Sequence, residues 1–157
     1  MDVVLLWGPI GLLVGLVMVA VSLVVASRRT ADSVLQTKPK RVLTFVAAMP
    51  SAAVMHRLLQ LAKNSRYSIE YLADEGANRE NERGPQVVLG EGPSFATWGF
   101  FYPIYMTPEG DRRTLVEVGI KSKLSQFGPI VSRRHAAALR DVQAWLAADL
   151  AFQDREE

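Results

Sequence analysis

The chain has two histidines, His56 and His135, and no cysteine, so little protein-borne chemistry is open to it. Without thiols there is no disulfide, no thiolate metal site, no iron–sulfur cluster, no cysteine nucleophile and no cysteine-borne lipid anchor. Two imidazoles far apart in sequence do not make up the three or four ligands that a protein-built metal site needs. The sequence therefore predicts no metal and no cofactor. His56 adjoins Arg57 on a helical stretch and reads as a helix-surface residue rather than a general base. Arg133, Arg134 and His135 open the last helix. They read first as a solvated basic turn, with capture of a phosphate or lipid head as the functional alternative. Gly90-Glu91-Gly92-Pro93-Ser94 lacks the following lysine and the receiving helix of a phosphate loop, and reads as a turn. Glu80 and Glu82 fall in a polar loop, where no burial would raise a carboxyl pKa for proton transfer. There is no GxSxG elbow, Walker loop, HExxH pair or dinucleotide fingerprint. The expectation is a chain that is not an enzyme on its own.

The most aromatic stretch, FATWGFFYPIYMT, runs from Phe95 to Thr107. As a strand it places Trp98, Phe100, Tyr102 and Ile104 on one face and Phe95, Phe101 and Tyr105 on the other. One face must line a core. The opposite one would show rings to a ligand or neighbour, since large exposed apolar patches mark interaction sites. Trp98, Phe100, Phe101, Tyr102 and Tyr105 are thus the expected partner or ligand surface. The plainer alternative is a long strand that bends around the core at Gly99 and Pro103.

Positioning comes next, and the strongest positional signal is N-terminal. Val3 to Ser27 is an uncharged apolar run of about 25 residues, enough at 1.5 Å each to exceed a hydrocarbon layer of about 30 Å. Gly8-Pro9 sits where a helix start tolerates proline, and Trp7 where an interfacial aromatic anchors the outer end. The Met-Asp start and the length of the apolar run favour an uncleaved anchor over a signal peptide. Arg28, Arg29, Lys38, Lys40 and Arg41 follow the run, and no basic residue precedes it. The positive-inside rule then puts the N-terminus outside and the rest in the cytoplasm of a plasma membrane. The same five basic residues are expected to touch anionic lipid heads. Within the run, Gly11, Gly15, Met18, Ser22 and Ala26 share one helix face, a small-residue stripe on which another membrane helix could pack.

With 157 residues, 49% hydrophobic and 22% charged, the chain has room for one folded domain besides this anchor. A net charge of +2 argues against a nucleic-acid partner. The expected organisation is an anchor over 1–29, a polar linker over 30–40, a cytoplasmic domain over 41–153 and a tail over 154–157. Within the domain, strands are expected at 41–49, 67–73 and 86–90, then a hairpin turning at Pro108-Glu109-Gly110-Asp111 between the aromatic strand and 113–124. Helices are expected at 51–64, with Val54, Met55, Leu58, Leu61 and Ala62 inward, and from Ser132 to about Gln153. The inward stripe of the second is His135, Leu139, Val142, Leu146 and Leu150. Consecutive strands without crossover helices imply an antiparallel sheet, with both helices on one face: an α+β two-layer sandwich.

The element order resembles the helix-grip fold of START-like lipid-binding domains, which implies a tethered module for an apolar ligand held between sheet and last helix. The Met1-to-Arg29 anchor pattern and the small α+β domain also look like small accessory subunits of actinobacterial membrane complexes, the respiratory cytochrome bc–cytochrome c oxidase supercomplex in particular. That resemblance implies a non-catalytic single-pass subunit whose partners, not itself, carry haem and copper. A filled core separates the two readings, because it would leave no room for the ligand.

Overall fold

The computed structural model describes residues 3–73, 84–93, 98–123 and 129–150, with side chains throughout except at 3–10, 23, 25–32 and 129–132. Three helices and six strands are formed by the described residues. They follow the order α1 (Val3–Gln36), β1 (Val42–Ala47), α2 (Ser51–Lys63), β2 (Ser68–Leu72), β3 (Val87–Glu91), β4 (Phe100–Pro108), β5 (Thr114–Gly119), β6 (Lys121–Ser122) and α3 (Pro129–Leu150). The sheet order is β1-β5-β4-β3-β2, with β6 continuing β5 alongside β4. All pairings are antiparallel. The expected α+β class with an antiparallel sheet is what the chain forms.

Local chemistry accounts for the elements. Pro50, extended at φ −65° and ψ 153°, precedes α2, and its carbonyl accepts the Val54 N–H at 3.0 Å. The helix stops where the Ser65 hydroxyl donates to the Ala62 carbonyl at 3.0 Å, giving that end group a partner. Gly110, at φ +76°, turns the β4–β5 hairpin, closed by Glu109 N–H to the Arg113 carbonyl at 2.8 Å. Thr114 is fully buried, and its hydroxyl donates to the Met49 carbonyl at 2.9 Å, tying the hairpin to the exit of β1.

Proline in a central strand normally removes a ladder hydrogen bond. Pro103 was expected at an edge or a bend, yet it stands in the middle of β4, the central strand. The pairing explains this. β4 meets β5 from Ile104 onward and β6 up to Phe101, so Tyr102 and Pro103 fall in the gap between those two partners.

The two faces of the sheet are filled differently. On one, Phe100, Tyr102, Ile104 and Met106 of β4 join Val87, Leu89, Val116 and Val118 beneath α2 and α3. The helices contribute Val54, Leu58 and Ala62, then Leu139, Val142, Leu146 and Leu150, all buried as their spacing predicts. On the other face, Phe101 of β4 and Val88 of β3 form a second cluster with Val34 of α1.

This second cluster corrects two expectations. The polar segment 30–40 is not a linker throughout, since α1 continues to Gln36 and its end packs on the sheet. The domain is accordingly more than a two-layer sandwich: where α1 crosses β4, the sheet is covered on both faces.

Candidate functional site: the seat of the first helix

The seat is built from β4 and β6 upward. Val34 is 1% exposed, against Phe101 at 4%. Beside it the Lys121 ammonium donates to the Ser33 carbonyl at 2.7 Å and the Ser33 hydroxyl at 3.1 Å. A cation at a helix C-terminus also meets the negative end of the helix dipole. Burial lowers the pKa of Lys121. Further on, Lys38 pairs with both oxygens of Glu117 at 2.8 and 2.7 Å, its ammonium 5.1 Å from the Tyr105 ring centre. Burial first, and the Glu117 carboxylate second, push the Tyr105 hydroxyl up to about 12. The Pro39 ring lies on Gly119 so closely that a Cβ there would come within 2.6 Å of its Cγ.

The aromatic strand is therefore not the free partner surface expected of it. Phe100 and Tyr102 belong to the helix-covered core, and Phe101 and Tyr105 are buried on the α1 face. Trp98 alone of the five is exposed, at 51%. It also leaves the alternation, because Gly99 takes φ +88° and turns the chain before β4 begins. Phe95 lies outside the described residues. Other large apolar side chains exposed on the domain are Val46 of β1 and Ile69, Tyr71 and Leu72 of the edge strand β2. The sequence reading missed this edge; a run of alternating residues reads the same whether its strand is central or peripheral.

The basic residues expected at the membrane surface are also divided. Lys38 is paired with Glu117 and lies over the Tyr105 ring, with its side chain still 48% exposed. Lys40 and Arg41 are exposed just before β1, and the side chains of Arg28 and Arg29 lie outside the described residues. On α1, Gly11, Gly15, Met18 and Ser22 are all exposed, and a Cβ at either glycine would meet nothing within 4 Å. The Ser22 hydroxyl donates to the Met18 carbonyl at 2.8 Å, so it has a partner within its own helix. Ala26, the last stripe position, lies outside the described side chains. Among the described residues no helix is long and apolar enough to cross a membrane.

One polar network was not foreseen. The Tyr102 hydroxyl donates to Glu91 at 2.6 Å, Arg66 lies 3.4 Å from the same carboxylate, and Arg66 donates to the Tyr67 hydroxyl at 3.0 Å. Burial first, and the carboxylate second, raise the Tyr102 pKa far above that of a free tyrosine. Burial raises Tyr67 likewise, against the pull of Arg66. Phenols held so firmly in their protonated form are poor proton donors. The rings do packing work: Tyr67 meets Tyr102 edge-on at 5.7 Å and Trp145 of α3 at 4.9 Å, while His135 of α3 meets Phe100 at 5.1 Å. They occupy the ground between sheet and last helix where a helix-grip ligand would lie. Among the described residues no three potential metal-ligating side chains form a group.

No protein-family model matches this chain, and neither a curated protein nor a solved structure matches it.

Proposed function

We propose that the chain is a non-catalytic, single-pass subunit of a larger plasma-membrane assembly, with α1 as both membrane anchor and rigid mount for the α+β domain. The observation that carries this is the character of α1. From Leu12 to Val24 its described large apolar side chains are between 53% and 68% exposed and point in every direction around the helix. A helix apolar all round needs a non-aqueous environment. No helix qualifies as a span on the described residues, but much of the uncharged run from Val3 to Ser27 lies outside the described side chains, and in the sequence that run has the length for a bilayer, with basic residues after it that favour a cytoplasmic domain. The paired and firmly protonated groups of the Glu91 network favour an architectural over a catalytic role. The aromatic packing beneath α3 weighs against the START-like alternative.

The Gly11, Gly15, Met18, Ser22 and Ala26 face is the proposed contact with a partner helix, and the cytochrome bc–cytochrome c oxidase assembly is the first partner to test. Gly11→Ile with Gly15→Ile adds bulk where two backbones would meet and leaves the span no less apolar. Leu13→Ile with Val17→Ile, off the stripe, is the control. At equal membrane levels, the first pair should lose the cytochrome subunits on mild solubilisation and the second should retain them. Equal recovery from both would refute the stripe as the contact.

A further inference from the structure

The direction in which α1 crosses the sheet fixes which end of the domain faces the bilayer. Ser33 sits beside Lys121, which pairs with Phe101 at the start of β4. Lys38 sits beside Glu117, which pairs with Tyr105. The chain from 33 to 38 thus runs along β4 in the strand's own direction. Followed backward, the helix passes beyond the Phe100 end of the sheet. Position 28 lies five residues before Ser33, about 8 Å further out at 1.5 Å per residue. Trp98 lies at this same end, two residues before Phe100 and beyond the turn at Gly99.

The same end gathers basic residues from three other elements. α2 finishes there with exposed Lys63, since β2 begins immediately afterwards with Ser68 in register with Gly90. α3 begins there with exposed Arg133 and Arg134, since the adjacent His135 packs on Phe100. Lys40 and Arg41 lead into β1, and Arg41 is near enough to His135 to lower its pKa after burial has done so. The carboxylates at this end, Glu91 and Glu70, are each paired with a further basic residue, Arg66 and Lys123, whereas the opposite end, at the β4–β5 turn, mixes Glu109 and Asp111 with Arg112 and Arg113.

Resting on the membrane-anchor reading above, we infer that the Phe100 end of the domain is seated on the bilayer surface, with Trp98 in the interface and Lys40, Arg41, Lys63, Arg133 and Arg134 on anionic headgroups. Tryptophan is the side chain that settles at the headgroup level, and basic clusters beside an anchor are drawn to anionic lipid. This replaces the expected contact through Lys38, which faces Glu117 instead.

The absence of cysteine makes the test direct. Single-cysteine full-length chains are reconstituted in nanodiscs and carry one fluorophore each. Gly92→Cys marks the Phe100 end, where added bulk meets open space, and Glu109→Cys marks the opposite end. Leu16→Cys marks the anchor. Nitroxide on the lipid headgroup should quench Gly92→Cys at least about twofold more than Glu109→Cys. The ratio should rise when phosphatidylglycerol replaces phosphatidylcholine and fall when Arg133→Glu and Arg134→Glu are added. Equal quenching at the two ends, with Leu16→Cys quenched by a mid-chain nitroxide, would overturn the seating and leave the anchor standing. A Leu16→Cys label that is not quenched would overturn both. A high Gly92 ratio that ignores lipid charge would overturn the headgroup contacts.

Discussion

Thr114 shows how much a single buried hydroxyl can carry. It occupies a strand position that valine would fill equally well, and it holds the Met49 carbonyl two residues past the end of β1. Thr114→Val keeps the shape and strands that carbonyl, at a cost of about 1–3 kcal/mol. Urea unfolding of the domain should show the loss, and Thr114→Ser should recover part of it. His135 offers a pH signature. Burial, then the charge of Arg41, lower its pKa from 6.5. The unfolded chain therefore takes up the proton more readily than the folded one. The stability from keeping this imidazole neutral is complete above 6.5 and is lost as pH falls through the lowered folded value. The thermal midpoint should drop on acidification from neutrality, with a component that disappears in His135→Phe. A midpoint whose acid dependence is identical in that variant would contradict the assignment. The hydroxyl's partner could not be read from sequence, since threonine is an ordinary strand residue; the spacing did put His135 on the inward stripe of α3, but not its contact with Phe100.

At the scale of elements, periodicity was a good guide wherever one face of an element was buried. The helix expected at 51–64 is Ser51–Lys63, and the β4–β5 hairpin turns where the Pro108–Asp111 turn signals lie. Failure came at 30–40. Val34 and Leu35 are an isolated apolar pair in a polar stretch, too few to give a period. The helix persists there because tertiary packing holds it, with Val34 against Phe101 and Lys121 on the Ser33 carbonyl. The same omission made the aromatic strand look two-faced and unpartnered, when its second face is covered by the chain's own first helix. A domain cut at residue 41 should therefore be the wrong fragment. It lacks the Val34 contact and the Ser33 partner of Lys121 and exposes Phe101. Relative to a fragment beginning at residue 30, it should lose about 2–4 kcal/mol, from burial of one large aliphatic side chain and a charged hydrogen bond. Calorimetry of the two fragments checks this. Equal midpoints would mean that the seat contributes nothing to stability.

For the whole molecule, the proposed topology places both ends of α1 in different compartments. A phosphatase reporter that matures only outside the cytoplasm, fused after Glu157, should be inactive, whereas the same reporter before Met1 should be active. The reverse pattern would turn the protein over and put the basic end of the domain against the outer leaflet. This proposed arrangement rests on charge asymmetry in the sequence alone, since orientation is argued by counting basic residues on either side of a span. The seating of the domain on the bilayer was not legible. It depends on which way α1 runs across β4, and no composition or period encodes a direction.

The unbroken helix from Val3 to Gln36 also makes the proposed anchor a shaft keyed to the domain at Val34. In a shaft, distance and azimuth are coupled: each residue inserted between bilayer and seat lifts the domain about 1.5 Å and swings it about 100°. Two added residues would leave the small-residue stripe facing nearly the opposite way relative to the sheet, though the lift is only about 3 Å. Seven would bring the stripe back to within about 20° of its starting bearing while raising the domain about 10 Å, clear of the headgroups. A partner that grips both the span and the domain would thus be lost by the short insertion. One that grips the span alone would notice neither, and the helical phase of this single joint distinguishes the two kinds of assembly.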